Sequence, residues 1–258
     1  YESTIFATFE EKVKSNIRAT LAQVLSPFCH PELIDAFCRP ADLSLQSLLD
    51  GAVYLVSLPL SRWGLGAKVA YTFIKLRFFN LMQSRGQHPD WNQHRSVVLV
   101  CDEYQAIISA NRDGLSDLNF WDKSRSSRTI GLISAQSVKS FYAAIGNRGI
   151  TDAILQNFRQ KICFKTEDEA TIKLLQSIIG PVKVKRKTLS QSTGDSSQGW
   201  FGNRSQHQSE NESITEVYEP VIDAALIRQL TPNQAIAILS LRGHSMDDVL
   251  TLSPLYIV

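Results

Sequence analysis

Ser96-Val-Val-Leu-Val-Cys-Asp-Glu103 decides how the rest of this chain is read. Val97 to Val100 form an unbroken aliphatic run. Such a strand is expected to be buried on both faces, as in a parallel sheet. Parallel strands need crossover connections, usually helices. The run stops at two acids, Asp102 and Glu103. In open α/β sheets, ligands bind at the carboxyl ends of the strands. Paired carboxylates there fit a Walker B element. One organises the Mg2+ water shell and the other orients or deprotonates an attacking water. A strand that merely ends in solvated acids has the same pattern, and both readings stand at this point.

Working outward, Thr129-Ile-Gly-Leu-Ile-Ser-Ala-Gln136 reads as a second strand. Gln136 just beyond it suits a hydrogen bond to a γ-phosphate or to the attacking water; a polar turn residue is the bland reading. A short helix around 115–123 and a basic turn, Lys123-Ser-Arg125-Ser-Ser-Arg128, lie between the two strands. Arg125 is open to several roles: pairing with surface acids, contact with nucleic-acid phosphates, or an arginine finger for a neighbouring subunit. Helices are expected at 138–145 and 151–158, then a short strand at 161–166. Thr166 and Glu169 form a capping box for a helix over 167–179, stopped by Gly180 and Pro181.

Upstream, Phe6, Phe9, Val13, Ile17, Leu21 and Val24 give residues 5–25 an amphipathic helical period. Residues 52–58 read as a buried strand closed by Pro59, and 65–84 as a long helix. The alternation of strand and helix argues for an α/β fold with right-handed crossovers. Residues 188–213 are rich in Ser, Gln, Asn, Gly and Thr and read as a flexible polar surface loop. A strand at 234–240 is expected to rejoin the sheet, and the tail 247–258 to pack back on the body.

Composition excludes several classes. The chain has 258 residues, 43% hydrophobic and 20% charged, with a net charge of +2. This is a globular composition and not a polybasic one. Lys183, Lys185, Arg186 and Lys187 are the densest basic run; they suit DNA phosphates or a Lys-rich strand edge. No apolar run reaches the about 18 residues of a membrane span. The four cysteines form no C-x-x-C pair. Cys29, His30 and Cys38 lack a fourth partner for a metal, so free thiols are expected. The five histidines are scattered in expected loops. A phosphate loop, Gly-x-x-x-x-Gly-Lys-[Ser/Thr], does not occur. In Gly64-Leu-Gly66-Ala-Lys68-Val69, glycine and lysine are not adjacent, and Val69 has no hydroxyl for Mg2+. The first residue is Tyr1, so the chain is read as a piece of a longer protein with the phosphate loop upstream.

Taken in order, these stretches resemble the type IV secretion coupling proteins, the TraG/TraD-like conjugative DNA-transfer ATPases. Asp50-Gly-Ala-Val-Tyr-Leu-Val-Ser-Leu-Pro59 resembles the family strand before its long core helix. The run ending in Asp102-Glu103 resembles its Walker B, and Lys123-Ser-Arg125 through Ser-Ala-Gln136-Ser137 its arginine-to-Gln-Ser motif. Ala153-Ile-Leu-Gln-Asn157, Lys161-Ile-Cys-Phe-Lys-Thr166 and Leu230-Thr-Pro-Asn-Gln-Ala235 resemble later blocks.

The resemblance implies an α/β, RecA-like P-loop NTPase core with a mostly parallel sheet, here lacking the phosphate-loop strand. Residues 1–30 would end an inserted all-α domain, and 31–258 would be the C-terminal part of the motor. The cofactors would be ATP and Mg2+. Asp102 would hold the metal through water, Glu103 would activate the nucleophilic water, Gln136 would sense the γ-phosphate, and Arg125 would reach the next subunit's nucleotide. The intact protein would be a homo-hexameric ring whose motor faces the cytoplasm from a bacterial inner membrane. It would couple DNA, the relaxosome and its accessory proteins to the secretion channel. The alternatives are another RecA-like DNA translocase, a pilus-assembly secretion ATPase, or a non-enzymatic docking module. Without a phosphate loop, these residues alone are expected to hydrolyse little ATP.

Overall fold

The computed structural model describes residues 8–40, 44–195, 206–241 and 244–253. They fall into two compact units that divide after Phe158. The fold is α/β, as the alternating pattern implies.

In the first unit, α1 (Glu11–Leu25) and α2 (Pro31–Phe37) precede a long helix, α3 (Leu60–Ser84), which breaks at Gly64. Gly64 has φ 48° and ψ −119°, a backbone that a side chain would strain. The buried face of α3 carries Ala67, Ala70, Lys75, Phe78, Phe79 and Met82, close to the helical period. Phe79 stacks on Phe120 with ring centroids 3.8 Å apart, and Trp121 meets Phe79 edge-on at 5.5 Å. Phe120 closes α4 (Asp117–Phe120), shorter than the helix expected at 115–123 because tight turns take over from Trp121 to Arg128. Leu33 of α2 reaches Gly66 of α3, where a Cβ would lie 2.7 Å from Pro27 and 3.4 Å from Leu33.

The deciding stretch is β1 (Val97–Cys101). It pairs in parallel with β2 (Thr129–Ile133), Val97 opposite Thr129 and Cys101 opposite Ile133. One face of this pair is packed: Gly131 lies so close beneath Trp121 and Phe158 that an added Cβ would come within 2.7 Å of both. The other face is not buried as the aliphatic run leads one to expect. Val98, Val100, Ile130 and Leu132 are 51–68% exposed among the described residues. After β2 come α5 (Val138–Ile145) and α6 (Arg148–Gln156), capped by the side chains of Ser137 and Asn147.

Residues 52–58 correct the sequence reading. They form no strand, and Val53 and Leu55 are over 90% exposed. Side chains hold the segment instead: the Tyr54 hydroxyl donates to the Ser44 carbonyl at 3.0 Å, and the Leu58 N–H donates to the Tyr71 hydroxyl at 2.6 Å. The amphipathic stripe of α1 is present, but none of α1 is buried; residues 1–7 lie outside the described residues.

The second unit is built on β3 (Lys161–Phe164), α7 (Glu169–Ile179), β4 (Pro181–Asp195), β5 (Gln206–Pro220), α8 (Ala224–Gln229), β6 (Gln234–Leu241) and β7 (His244–Thr251). β6 is central, antiparallel to both β3 and β7. Its Ile236 and Ile238 pack with Ile172 and Leu175 of α7, with Ile222, and with Ile227 and Leu230 around α8. The tail expected to pack back from 247 is the end of β7; 254–258 lie outside the described residues. The cap of α7 also differs from the sequence reading. Asp168 accepts from the Thr171 N–H at 3.0 Å and its hydroxyl at 2.8 Å, while Thr166 accepts from the Asp168 N–H. Asp168 sits one residue before Glu169, so the shorter acid makes the cap and the helix starts later.

The polar segment read as a loop is strand on both sides. β4 and β5 form an antiparallel ribbon running from Pro181↔Pro220 to Asp195↔Gln206. Residues 196–205 lie outside the described residues. A two-stranded ribbon has no need of a continuous apolar face, so a polar composition did not mark it.

Candidate functional site

The parallel register of β1 and β2 brings their polar carboxyl-terminal extensions side by side. Cys101 is opposite Ile133, so Asp102 and Ser134 follow next to each other. The Ser134 N–H donates to the Cys101 carbonyl at 3.0 Å, and the Ser134 hydroxyl donates to Asp102 Oδ1. The same oxygen accepts from the Glu103 N–H at 2.9 Å. The chain then turns sharply: the Tyr104 N–H donates to the Ser134 carbonyl at 2.9 Å. Glu103, between these anchors, takes a left-handed conformation with φ 51° and ψ 43°. For a residue with a side chain that costs on the order of 1–3 kcal/mol and persists only where neighbours enforce it.

The turn aims the Glu103 carboxylate at two amides. Gln136 donates from Nε2 to Glu103 Oε1 at 3.2 Å, and Gln105 donates from Nε2 to Glu103 Oε2. Asp102 and Gln136 are exposed and Glu103 half-buried, so the cluster meets solvent at the strand ends. Asp102, Glu103 and Gln136 are therefore brought together in the first unit. Gln105 and Ser134 join them, and no sequence argument picked these two out. Ser134 was legible in principle, as the residue after a strand of the same length as β1. Gln105 was not, because its contact depends on the left-handed turn. Gln105 Oε1 is buried and finds no partner among the described residues.

No group of three or more His, Cys, Asp and Glu able to cage a metal occurs among the described residues. The pair at the strand end still suits Mg2+, which keeps several waters and takes only one or two carboxylates beside substrate phosphates. Cys101 packs just beneath, and burial pushes its thiol above the usual range while the Lys75 charge opposes this.

Arg125 is not part of this cluster. It lies exposed in the turn before β2, where its carbonyl accepts from the Arg128 N–H at 3.2 Å. That turn is at the amino ends of β1 and β2, since the Val97 N–H donates to the Arg128 carbonyl. The length of β2, roughly 15 Å at about 3.3 Å per residue, separates it from Glu103.

The basic run lies on β4 in the second unit and faces acids on β5. Lys183 is ion-paired with Glu216, and Arg186 with Glu219 at 2.6 Å. Lys185 stands opposite Glu216 in the register, and Lys187 opposite Ile214. Lys183 and Arg186 remain exposed beside these acids.

Paired acids and a glutamine thus stand together at the carboxyl ends of two parallel strands of an α/β unit. The chain belongs to the family described as the TraM recognition site of TraD and TraG, whose model matches residues 96–232, just over half of the chain. No curated protein matches the sequence. Among solved structures, the unbound form of the bacterial conjugative coupling protein TrwB is 16% identical, with a TM-score of 0.69; the match covers 98% of this chain and 53% of that one. TrwB in complex with ADP and Mg2+ is also 16% identical, with a TM-score of 0.66, covering 97% of this chain and 51% of that one. TrwB with the non-hydrolysable GTP analogue GDPNP is similar at a TM-score of 0.65 and 16% identity, covering 95% and 51%. The chain thus spans about half the length of the solved structures it matches, and at these identities the likeness is one of fold. No described helix is long and apolar enough to cross a membrane.

Proposed function

We propose that this chain carries the carboxylate half of an ATP-hydrolysing site in a conjugative coupling protein of the TraG/TraD type. The observation that carries the reading is the Glu103 carboxylate, held between Gln136 and Gln105 beside Asp102 at the carboxyl ends of two parallel strands. Asp102 would hold Mg2+ through its water shell, and the bound ion would neutralise charge on the nucleotide phosphates. Glu103 would accept a proton from the attacking water. Gln136, already on the Glu103 carboxylate, would report the γ-phosphate by exchanging that contact. Arg125, in the turn at the amino end of β2, would serve the nucleotide of a neighbouring copy in a ring, where such an arginine contributes about 10³–10⁵-fold in rate. The phosphate loop would come from outside these 258 residues.

In the whole protein, hydrolysis would drive DNA transfer. The family's description names a TraM recognition site; that supports an accessory protein of the relaxosome as partner, and the secretion channel would be the next. A hexameric ring anchored in the inner membrane completes the reading. The test is Glu103→Gln in the complete gene product that contains this chain. ATP turnover is expected to fall by about 10²–10⁴-fold with nucleotide binding retained. Turnover at the unsubstituted level would refute the assignment. ATP hydrolysis by the 258-residue chain alone that Glu103→Gln abolishes would leave the role of Glu103 standing and overturn only the placing of the phosphate loop outside these residues.

A further inference from the structure

We propose that Tyr104, Asp117 and Lys75 are positioning residues for Glu103: a buried ionic hub beneath the site that holds the left-handed turn in place. This rests on the reading of Glu103 as the group that activates water.

Tyr104 follows Glu103 directly and is fully buried. Its hydroxyl donates to Asp117 Oδ1, and the Trp121 indole N–H donates to the same oxygen at 2.9 Å. Asp117 Oδ2 accepts from Lys75 Nζ at 2.5 Å, from the Ser109 N–H at 2.7 Å and from the Ser109 hydroxyl at 3.0 Å. Lys75 Nζ donates again to the Ile107 carbonyl at 2.5 Å and lies 5.4 Å from the centre of the Tyr104 ring. Lys75 and Asp117 are 2% and 0% exposed. One carboxylate therefore gathers the long helix α3, the start of α4 and both ends of the segment 104–109.

The consequence for Glu103 is geometric. On its amino side the chain is fixed by the ladder and by Ser134; on its carboxyl side it is fixed by the Tyr104 ring and by Ile107 and Ser109. A left-handed glutamate relaxes toward ordinary backbone unless both sides are held. Functional groups need such a supporting shell to stay within about 0.5 Å of a productive position. A charge pair is a costly way to fill a core. Here it does what an apolar cluster cannot, because its hydrogen bonds fix the direction of Tyr104 and the carbonyl of Ile107.

The test is Tyr104→Phe in the complete gene product, which keeps the buried ring and removes only the hydroxyl. Three quantities are read: kcat and KM for ATP, amide hydrogen exchange over residues 101–108, and the thermal midpoint. The expected result is a fall in kcat of roughly 10–100-fold, the usual effect of losing a supporting contact. KM should stay within about twofold, with faster exchange at 102–105 and a small change in midpoint. Either kcat or local exchange at the unsubstituted value overturns the proposal, as does a loss of kcat matched by a loss of folded protein. Lys75→Met is the second variant, and it should speed exchange over the same residues; unchanged exchange counts against the hub. Glu103→Gln run alongside separates the two claims. If it leaves turnover intact, the catalytic reading fails. If it abolishes turnover while Tyr104→Phe does nothing, only the positioning inference fails.

Discussion

Lys75→Met isolates the energetic role of the buried pair. Burial pushes the Lys75 ammonium below its usual range, and the Asp117 charge and hydrogen bond oppose that shift. Lys75 Nζ and Asp117 Oδ2 stand 2.5 Å apart as a buried ion pair, whose desolvation cost their mutual attraction and the surrounding donors offset. Methionine keeps most of the volume of the side chain, so little cavity arises. What remains is a carboxylate that is fully buried with no counter-charge, facing Tyr104, Trp121 and Ser109. Breaking a buried pair this way costs about 3–5 kcal/mol. The cost should depend on pH with a definite sign. A buried carboxylate stripped of its partner is neutralised by taking up a proton, so the native state of the variant holds more protons than the unfolded chain. Stability of the variant then falls as pH rises out of the acid range. At about pH 4–5 the penalty should shrink toward the roughly 1 kcal/mol of a lost hydrogen bond. Urea unfolding followed by tryptophan fluorescence, at several pH values for both proteins, measures the difference. A penalty below about 1 kcal/mol at neutral pH, or one that does not change with pH, would refute the reasoning.

Two further outcomes follow from packing and titration. Gly131→Ala should destabilise the first unit by about 1–3 kcal/mol, because a Cβ there meets Trp121 and Phe158 at 2.7 Å and neither ring can withdraw cheaply; an unchanged urea midpoint would contradict it. Burial pushes the Cys163 thiol up from 9.0 to about 11. The stability it contributes is full below pH 9 and is lost as pH rises toward 11, about 1–2 kcal/mol after allowing for partial exposure. Cys163→Ala should flatten that alkaline slope in denaturant titrations, and a slope left unchanged would show that the thiol is not the cause.

How much was legible depends on how far each feature reaches along the chain. β1, β2, β3 and β6 were readable because an aliphatic run between polar ends is a local signal, and the two acids after β1 stand in that same signal. Gln136 was readable for the same reason. Residues 52–58 carry an equally apolar run, yet strand formation needs a partner, and no described strand pairs with them. The ribbon of β4 and β5 failed in the opposite direction: its pairing is regular, but none of its residues 181–187 and 214–220 is buried, so no apolar alternation is imposed there. The hub was out of reach for a stronger reason. Lys75 lies on a helix, where it reads as one more solvated cation, and Asp117 opens a short helix, where an acid is explained by the helix dipole. Neither residue announces a partner 42 positions away. Only the packing of α3 against the segment after β1 makes them a pair, and that packing converts Tyr104 from a residue trailing the acidic motif into the one that fixes its direction. The candidate acids are thus written locally in Asp102 and Glu103, while the geometry around them is held by side chains that local patterns assign to surface and cap.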